Sequence, residues 1–161
     1  MNKNEPIWQQ HQFFMAKAIE LAEQANQHDE VPVGAVVVKE NKIIGKGYNQ
    51  TELLGDATAH AEMIALSAAY ETSGSKYLTG ATLYVSLEPC IMCAGALMWS
   101  KIDRLVFGAS DSKSGACGSL FNIHNNPVLN HRFEVIQGIL EADAEYLLRS
   151  FFAKKRMKDD R

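Results

Sequence analysis

Cysteine is scarce in this 161-residue chain, and its three copies are an odd number, which argues against a disulfide framework. No apolar run approaches the length of a membrane span. The first dozen residues, Met1 to Gln12, are polar with scattered charge and lack the apolar core of a signal peptide, so a cytoplasmic protein that stays out of membranes is expected. A strong excess of one charge is also missing: a net charge of −3 does not carry the basic footprint of a general nucleic-acid binder. There is no internal repeat and no low-complexity tract. What remains is ordinary, 47% hydrophobic and 22% charged, and fits a single compact domain over 1–161.

Periodicity places the elements. Phe14, Ala18, Leu21, Ala22 and Ala25 recur at helical spacing and predict an amphipathic helix over 13–26, with His11 and His28 on the surface. The β-branched run 33–38 lacks polar alternation, as in a strand covered on both faces, and 43–48 reads as its hairpin partner. Gly45 and Gly47 mark a place where a ligand or backbone comes close. Asn49 ends that strand as a turn residue. An irregular stretch follows, with Thr58 as a candidate cap for a helix over 60–70. Further strands are expected over 81–87, 105–107 and 133–137, a helix from Pro89 through Trp99, and a last helix over 141–155 with Ala144, Leu147, Leu148 and Phe151 inward. Alternating helices and strands make this an α/β chain.

The chemistry concentrates in two short stretches, His60-Ala61-Glu62 and Glu88-Pro89-Cys90-Ile91-Met92-Cys93. One histidine and two cysteines are the protein half of a zinc site with an open fourth position. In mid-helix, residues two apart point about 200° from one another, so His60 and Glu62 can face one site only from a helix N-terminus. Pro89 is suited to the first helical position, placing Cys90 and Cys93 in a first turn, where spacing of three puts both sulfurs on one face and the helix end favours thiolates. A redox pair, or a structural zinc completed by Cys117, His124 or His131, remains an alternative at this level. Fe²⁺ is not excluded by spacing. Glu62 tilts the reading towards catalysis, because a structural site has no use for a carboxylate that is not a ligand.

His-x-Glu followed by Pro-Cys-x-x-Cys resembles the signature of zinc-dependent nucleoside deaminases, with His60, Cys90 and Cys93 as ligands and Glu62 as proton shuttle. The likeness is wider than that motif. The runs 30–35, 58–62, 83–90, 92–96 and 106–109, the loop Asp111 to Ala116 and the pair Phe151-Phe152 resemble the bacterial tRNA-specific adenosine deaminases. The resemblance implies a three-layer α/β/α fold with a mixed five-stranded sheet of the cytidine deaminase-like kind. It implies one Zn²⁺ per subunit, a homodimer, and conversion of a tRNA wobble adenosine to inosine on the anticodon stem-loop. By matching positions, Asn49 and the backbone of Ala61 would hold the extruded adenosine and Val31 would line its pocket. Asp111 and Lys113 would contact neighbouring nucleotides, and Phe152 and Arg156 would complete the surface. Ser110 stands where many members of the family have an arginine. Lys154, Lys155, Arg156 and Lys158, on charge alone a solvated helix end, become part of an RNA surface under this resemblance. The rival enzyme reading is deamination of a free base such as guanine or cytosine.

Overall fold

The structure, a computed structural model, describes residues 2–161. Met1, part of the leader reading, lies outside the described residues. The β-branched run forms β1 (Gly34–Lys39), and β2 (Lys42–Tyr48) returns beside it through Glu40 and Asn41, both at positive φ. Two consecutive left-handed residues are what a tight hairpin turn needs to match strand twist. β3 (Thr82–Leu87), β4 (Arg104–Ala109) and β5 (Glu134–Gln137) complete one sheet in the order β2-β1-β3-β4-β5. β1 is antiparallel to both its neighbours, whereas β3, β4 and β5 are parallel. The sheet is therefore mixed and five-stranded, as expected.

Helices cover both faces. α2 (Ala61–Ser73) and α3 (Ile91–Ser100) pack on one, where Ala35, Val37, Leu83, Val85, Leu105 and Phe107 point. α1 (Pro6–Gln27) and α4 (Glu141–Asp159) cover the other, where Val36, Val38, Tyr84 and Val106 point. Alternate strand residues thus feed two cores, giving three layers. Among the described residues no helix is long and apolar enough to cross a membrane.

Gly45 and Gly47 mark backbone approach. A Cβ at either would run into α2, against the carbonyl oxygen of Ala65 or of Ala61. Bare glycine lets α2 lie directly on the hairpin and brings its N-terminus to the sheet edge.

Several expectations need correction. α1 begins seven residues earlier than periodicity indicated, with Pro6 in its first turn, a position where a missing N–H costs nothing. Its inward stripe extends back through His11, which is 1% exposed and not a surface residue; its Nδ1 lies 2.8 Å from the Tyr84 hydroxyl. His28 is exposed and stacks on Tyr48. Thr58 does not cap α2: its hydroxyl donates to Asp56 Oδ1, and the N-cap position is His60. Pro89 is not the first residue of α3 but precedes its N-cap, Cys90. Cys90 keeps an extended backbone, φ −72° and ψ 176°, and bridges to Gly115 across from it. A Cβ at Gly95 of α3 would meet nothing within 4 Å among the described residues. A single turn of 3₁₀ helix at Ile123–Asn125 had no periodicity to reveal it.

Candidate active site

β3 and β4 run in the same direction and end side by side, and antiparallel β1 begins at that same edge. Helix starts gather there too. His60 is the N-cap of α2, Cys90 the N-cap of α3, and Cys93 the third residue of α3. An N-cap side chain naturally turns towards the third residue of its helix, so the two sulfurs face one point.

The three ligand atoms lie within 4.8 Å of one another. His60 Nδ1 is 3.6 Å from Cys90 Sγ and 3.5 Å from Cys93 Sγ. Zinc–nitrogen and zinc–sulfur bonds of about 2.05 and 2.3 Å meeting at a tetrahedral angle span about 3.6 Å. The donor set and its spacing therefore fit Zn²⁺, one per subunit. Among the described residues no fourth His, Cys, Asp or Glu joins the group. Cys117 is buried in the core, His124 tilts against Phe133, and His131 Nε2 engages the Ile102 carbonyl at 2.7 Å. A structural zinc completed by one of these is not supported.

The protein's own groups prepare charge for a cation. A hydrogen bond with Cys93 chiefly, opposed by burial and aided by His60, brings the Cys90 thiol down to about 4. The same bond, with burial, pushes Cys93 up, and the Cys90 contact raises His60. Glu62, the second residue of α2, is 4% exposed. Burial pushes its carboxyl up against the opposing pull of a Cys93 hydrogen bond and the His60 charge. A carboxyl beside a metal site that holds a proton more readily than usual is suited to proton transfer.

These groups open into a cavity of about 260 Å³ that also touches Val31, Asn49, Ala61, Glu88 and Asp111. Asn49 is buried; its Nδ2 donates to the Val31 carbonyl at 3.4 Å, while its Oδ1 has no partner among the described residues. An unpaired buried acceptor beside the metal corner is a place for a ligand's donor. A second hollow of about 610 Å³ adjoins the first, sharing Val31, Leu87, Asp111 and Ser114, and reaches Lys113, Phe152 and Arg156. The residues singled out from sequence therefore come together, with His60, Glu62, Cys90, Asn49, Ala61, Val31 and Asp111 in the inner cavity and Lys113, Phe152 and Arg156 in the outer one. Cys93 lies buried behind.

Two carboxylates were missed by the sequence reading. Glu30 is fully buried and accepts hydrogen bonds from the Leu53 amide at 2.6 Å, the Glu52 amide at 3.2 Å and the Thr51 hydroxyl at 3.4 Å. Glu88, 3% exposed, accepts from the amides of Asp111, Cys117 and Ser119 at 3.0–3.1 Å and from the Ser119 hydroxyl. Burial pushes Glu88 up, but the Ser119 hydroxyl and the three amides outweigh it and hold the carboxyl below its usual range. Neither residue has a local pattern that announces its partners.

Comparison with known proteins agrees with this geometry. Residues 8–109 match the cytidine and deoxycytidylate deaminase zinc-binding region. The tRNA-specific adenosine deaminase of Aquifex aeolicus is 48% identical over 145 residues, covering 90% of this chain and 95% of its own. A solved tRNA:A34 deaminase, studied for A-to-I editing at the wobble position, superimposes with a TM-score of 0.82 at 41% identity, covering 84% of this chain and 99% of that one. A guanine deaminase from Nitrosomonas europaea gives a TM-score of 0.73 at 28% identity, covering 95% of this chain and 98% of that one. With nine-tenths of its length aligned at 48% identity to the Aquifex aeolicus enzyme, the chain belongs to the tRNA-specific adenosine deaminases, within the cytidine and deoxycytidylate deaminase zinc-binding family.

Proposed function

We propose that this protein is a zinc-dependent hydrolase that deaminates the wobble adenosine of a tRNA anticodon to inosine. The observation that carries the reading is the His60, Cys90 and Cys93 corner with Glu62 beside it, opening into a cavity that continues into a larger hollow. The inner cavity suits one extruded base, and the outer hollow gives its neighbours a place to lie. An aromatic side chain, Phe152, and the cations Lys113 and Arg156 line that hollow, a combination suited to stacking and phosphate contact in a single-stranded loop.

Bound Zn²⁺ supplies the Lewis acidity that brings the pKa of a water towards neutrality. Glu62 takes a proton from that water and delivers it to ring nitrogen N1 as the water oxygen bonds to C6, then takes the remaining proton of that oxygen and passes it to the departing amine as the bond from C6 to nitrogen breaks. Water and adenosine give inosine and ammonia, and Glu62 ends as it began. Asn49 Oδ1 and the backbone at Ala61 orient the base, and Val31 closes its apolar side. Asp111 lines both hollows, which supports a contact with the nucleotide next to the target.

A homodimer accompanies this reading. Its support is an uncovered stripe on α3: Ile91 is 56% and Trp99 70% exposed, and Gly95 between them faces open space. Residues four apart share one helix face, and such an apolar face fits a second copy of the chain. A cytoplasmic location follows from the substrate class.

Inosine mapping after incubation with total tRNA tests the activity, alongside ammonia release from free adenine, guanine and cytosine. Inosine at the wobble position with no turnover of free bases is expected. Deamination of a free base with none of tRNA would replace this reading with its rival.

A further inference from the structure

We infer that Glu88 and Glu30 are paired positioning residues, each using an all-acceptor buried carboxylate to hold one RNA-facing wall of the cavity in place. This rests on the tRNA deaminase reading and concerns how its substrate is gripped. Asn49 and Thr51 belong to one wall, and the chain that follows them is tied to Glu30 through Thr51, Glu52 and Leu53. Asp111 and Ser114 belong to another, tied to Glu88 through Asp111, Cys117 and Ser119.

The second tie is the more extensive. Oε1 of Glu88 accepts from the Asp111 amide and the Ser119 hydroxyl, and Oε2 accepts from the amides of Cys117 and Ser119. Main-chain contacts run parallel to it: the Ala116 amide donates to the Pro89 carbonyl at 2.8 Å, and Gly115 bridges to Cys90. Gly115 must lack a side chain here, because a Cβ would collide with the Glu88 carboxylate and the Asp111 carbonyl. The loop bearing Asp111 and Lys113 is thus anchored to the turn bearing Cys90. Substrate-facing side chains on that loop are located relative to the metal corner by Glu88.

Every partner of Glu88 is a donor, which explains why a carboxylate is needed and an amide will not serve. In Glu88→Gln the new NH₂ must replace one oxygen. Only the Ser119 hydroxyl can turn round and accept from it, so the amide settles at the Oε1 place and strands the Asp111 N–H. The residue released is then the one nearest the substrate. Glu88→Ala releases all three amides.

Amide hydrogen exchange on the zinc-loaded protein reads this directly, with deamination of an anticodon stem-loop hairpin measured beside it. In Glu88→Ala, protection at Asp111, Cys117 and Ser119 should fall about ten-fold or more, since each loses a hydrogen bond to a charged acceptor, while Glu52 and Leu53 hold theirs. Glu30→Ala should give the converse. Glu88→Gln should release Asp111 and spare Cys117 and Ser119, and it covers the case in which the alanine variant does not fold. Both Glu88 variants should keep full zinc and raise KM for the hairpin more than they lower kcat. Loss of zinc, a fall in kcat at unchanged KM, or exchange that spreads over both walls from either variant would overturn the assignment. Failure of the wild-type protein to form inosine would overturn the functional reading instead and leave the exchange result standing.

Discussion

Glu62 and Glu88 line the same cavity, are almost equally buried at 4% and 3% exposed, and are pushed in opposite directions. Burial acts on both to favour the neutral acid. What differs is the count of donors. Glu62 has one thiol contact, the charge of His60 and its own backbone amide against its burial and the repulsion of Cys90, and burial wins. Glu88 has three amides and a hydroxyl, and the donors win. A carboxyl so situated cannot easily take up a proton, whereas Glu62 can accept and return one. Two chemically identical side chains at one site are divided between reaction and architecture by what surrounds each.

The most severe way to separate them is to remove the metal corner. Cys90→Ala takes away one of three ligands, so zinc content should fall towards zero and turnover to background, measured by metal analysis and inosine formation. Glu88 keeps its partners, and protection of the Cys117 and Ser119 amides should survive. If zinc stays fully bound, Cys90 is not a ligand and the comparison loses its reference point.

Glu62→Gln comes next. It removes the proton carrier and no ligand, so kcat should fall by about 10²–10⁴-fold, the usual worth of general acid–base catalysis, with zinc retained. Single-turnover rates on the hairpin measure it. An undiminished rate would transfer proton movement to another group, with Glu88 the first to examine.

A milder perturbation moves Glu62 without changing it. In Gly47→Ala the added Cβ meets the Ala61 carbonyl at the start of α2, so the helix must back away from β2 and take Glu62 with it. Overpacking of this kind costs about 1–3 kcal/mol, readable as a lower denaturation midpoint, and kcat should drop by more than KM rises. Unchanged kcat with reduced stability would mean that the position of Glu62 tolerates movement.

How much of this was legible in the sequence follows the range of each interaction. His60 with Glu62, and Cys90 with Cys93, carry their geometry in their own spacing, so the metal corner and its place at two helix starts were readable. Gly45 and Gly47 signalled close approach because bare glycine in a strand has few other uses. Pro89 misled by two positions, since a local preference for the first helical residue yielded to the extended backbone that Cys90 needs to face His60 and bridge Gly115. The carboxylates of Glu30 and Glu88 were invisible because their partners lie 21 to 31 residues away and are mostly backbone amides, which every sequence contains. His11 failed for a related reason: polar and near a terminus, it reads as exposed until Tyr84, 73 residues on, supplies a partner.

His11 supplies the smallest test, on the face of the sheet away from the metal. It is as buried as the two carboxylates and faces Tyr84 from β3, with Arg104 and Glu134 at the ends of β4 and β5 contributing charge. Among the described residues Nε2 has no partner, so protonation would leave a buried N–H unpaired. Burial first, then the Arg104 charge, lowers its pKa against the pull of Glu134. Tyr84, pushed up to about 12 by burial, stays protonated throughout. A histidine whose folded pKa lies below its unfolded value of about 6.5 contributes stability that is complete above that value. The contribution is lost as pH falls through the folded pKa, because the unfolded chain then binds the extra proton first. Denaturation midpoints of the wild type should therefore decline below about pH 6.5 more steeply than those of His11→Asn, while kcat on the hairpin follows the same pH profile in both proteins. Parallel stability curves would show that His11 titrates alike folded and unfolded. A difference in the kcat profiles would show that the two faces of the sheet are coupled, and that the division between reaction and architecture extends beyond the cavity.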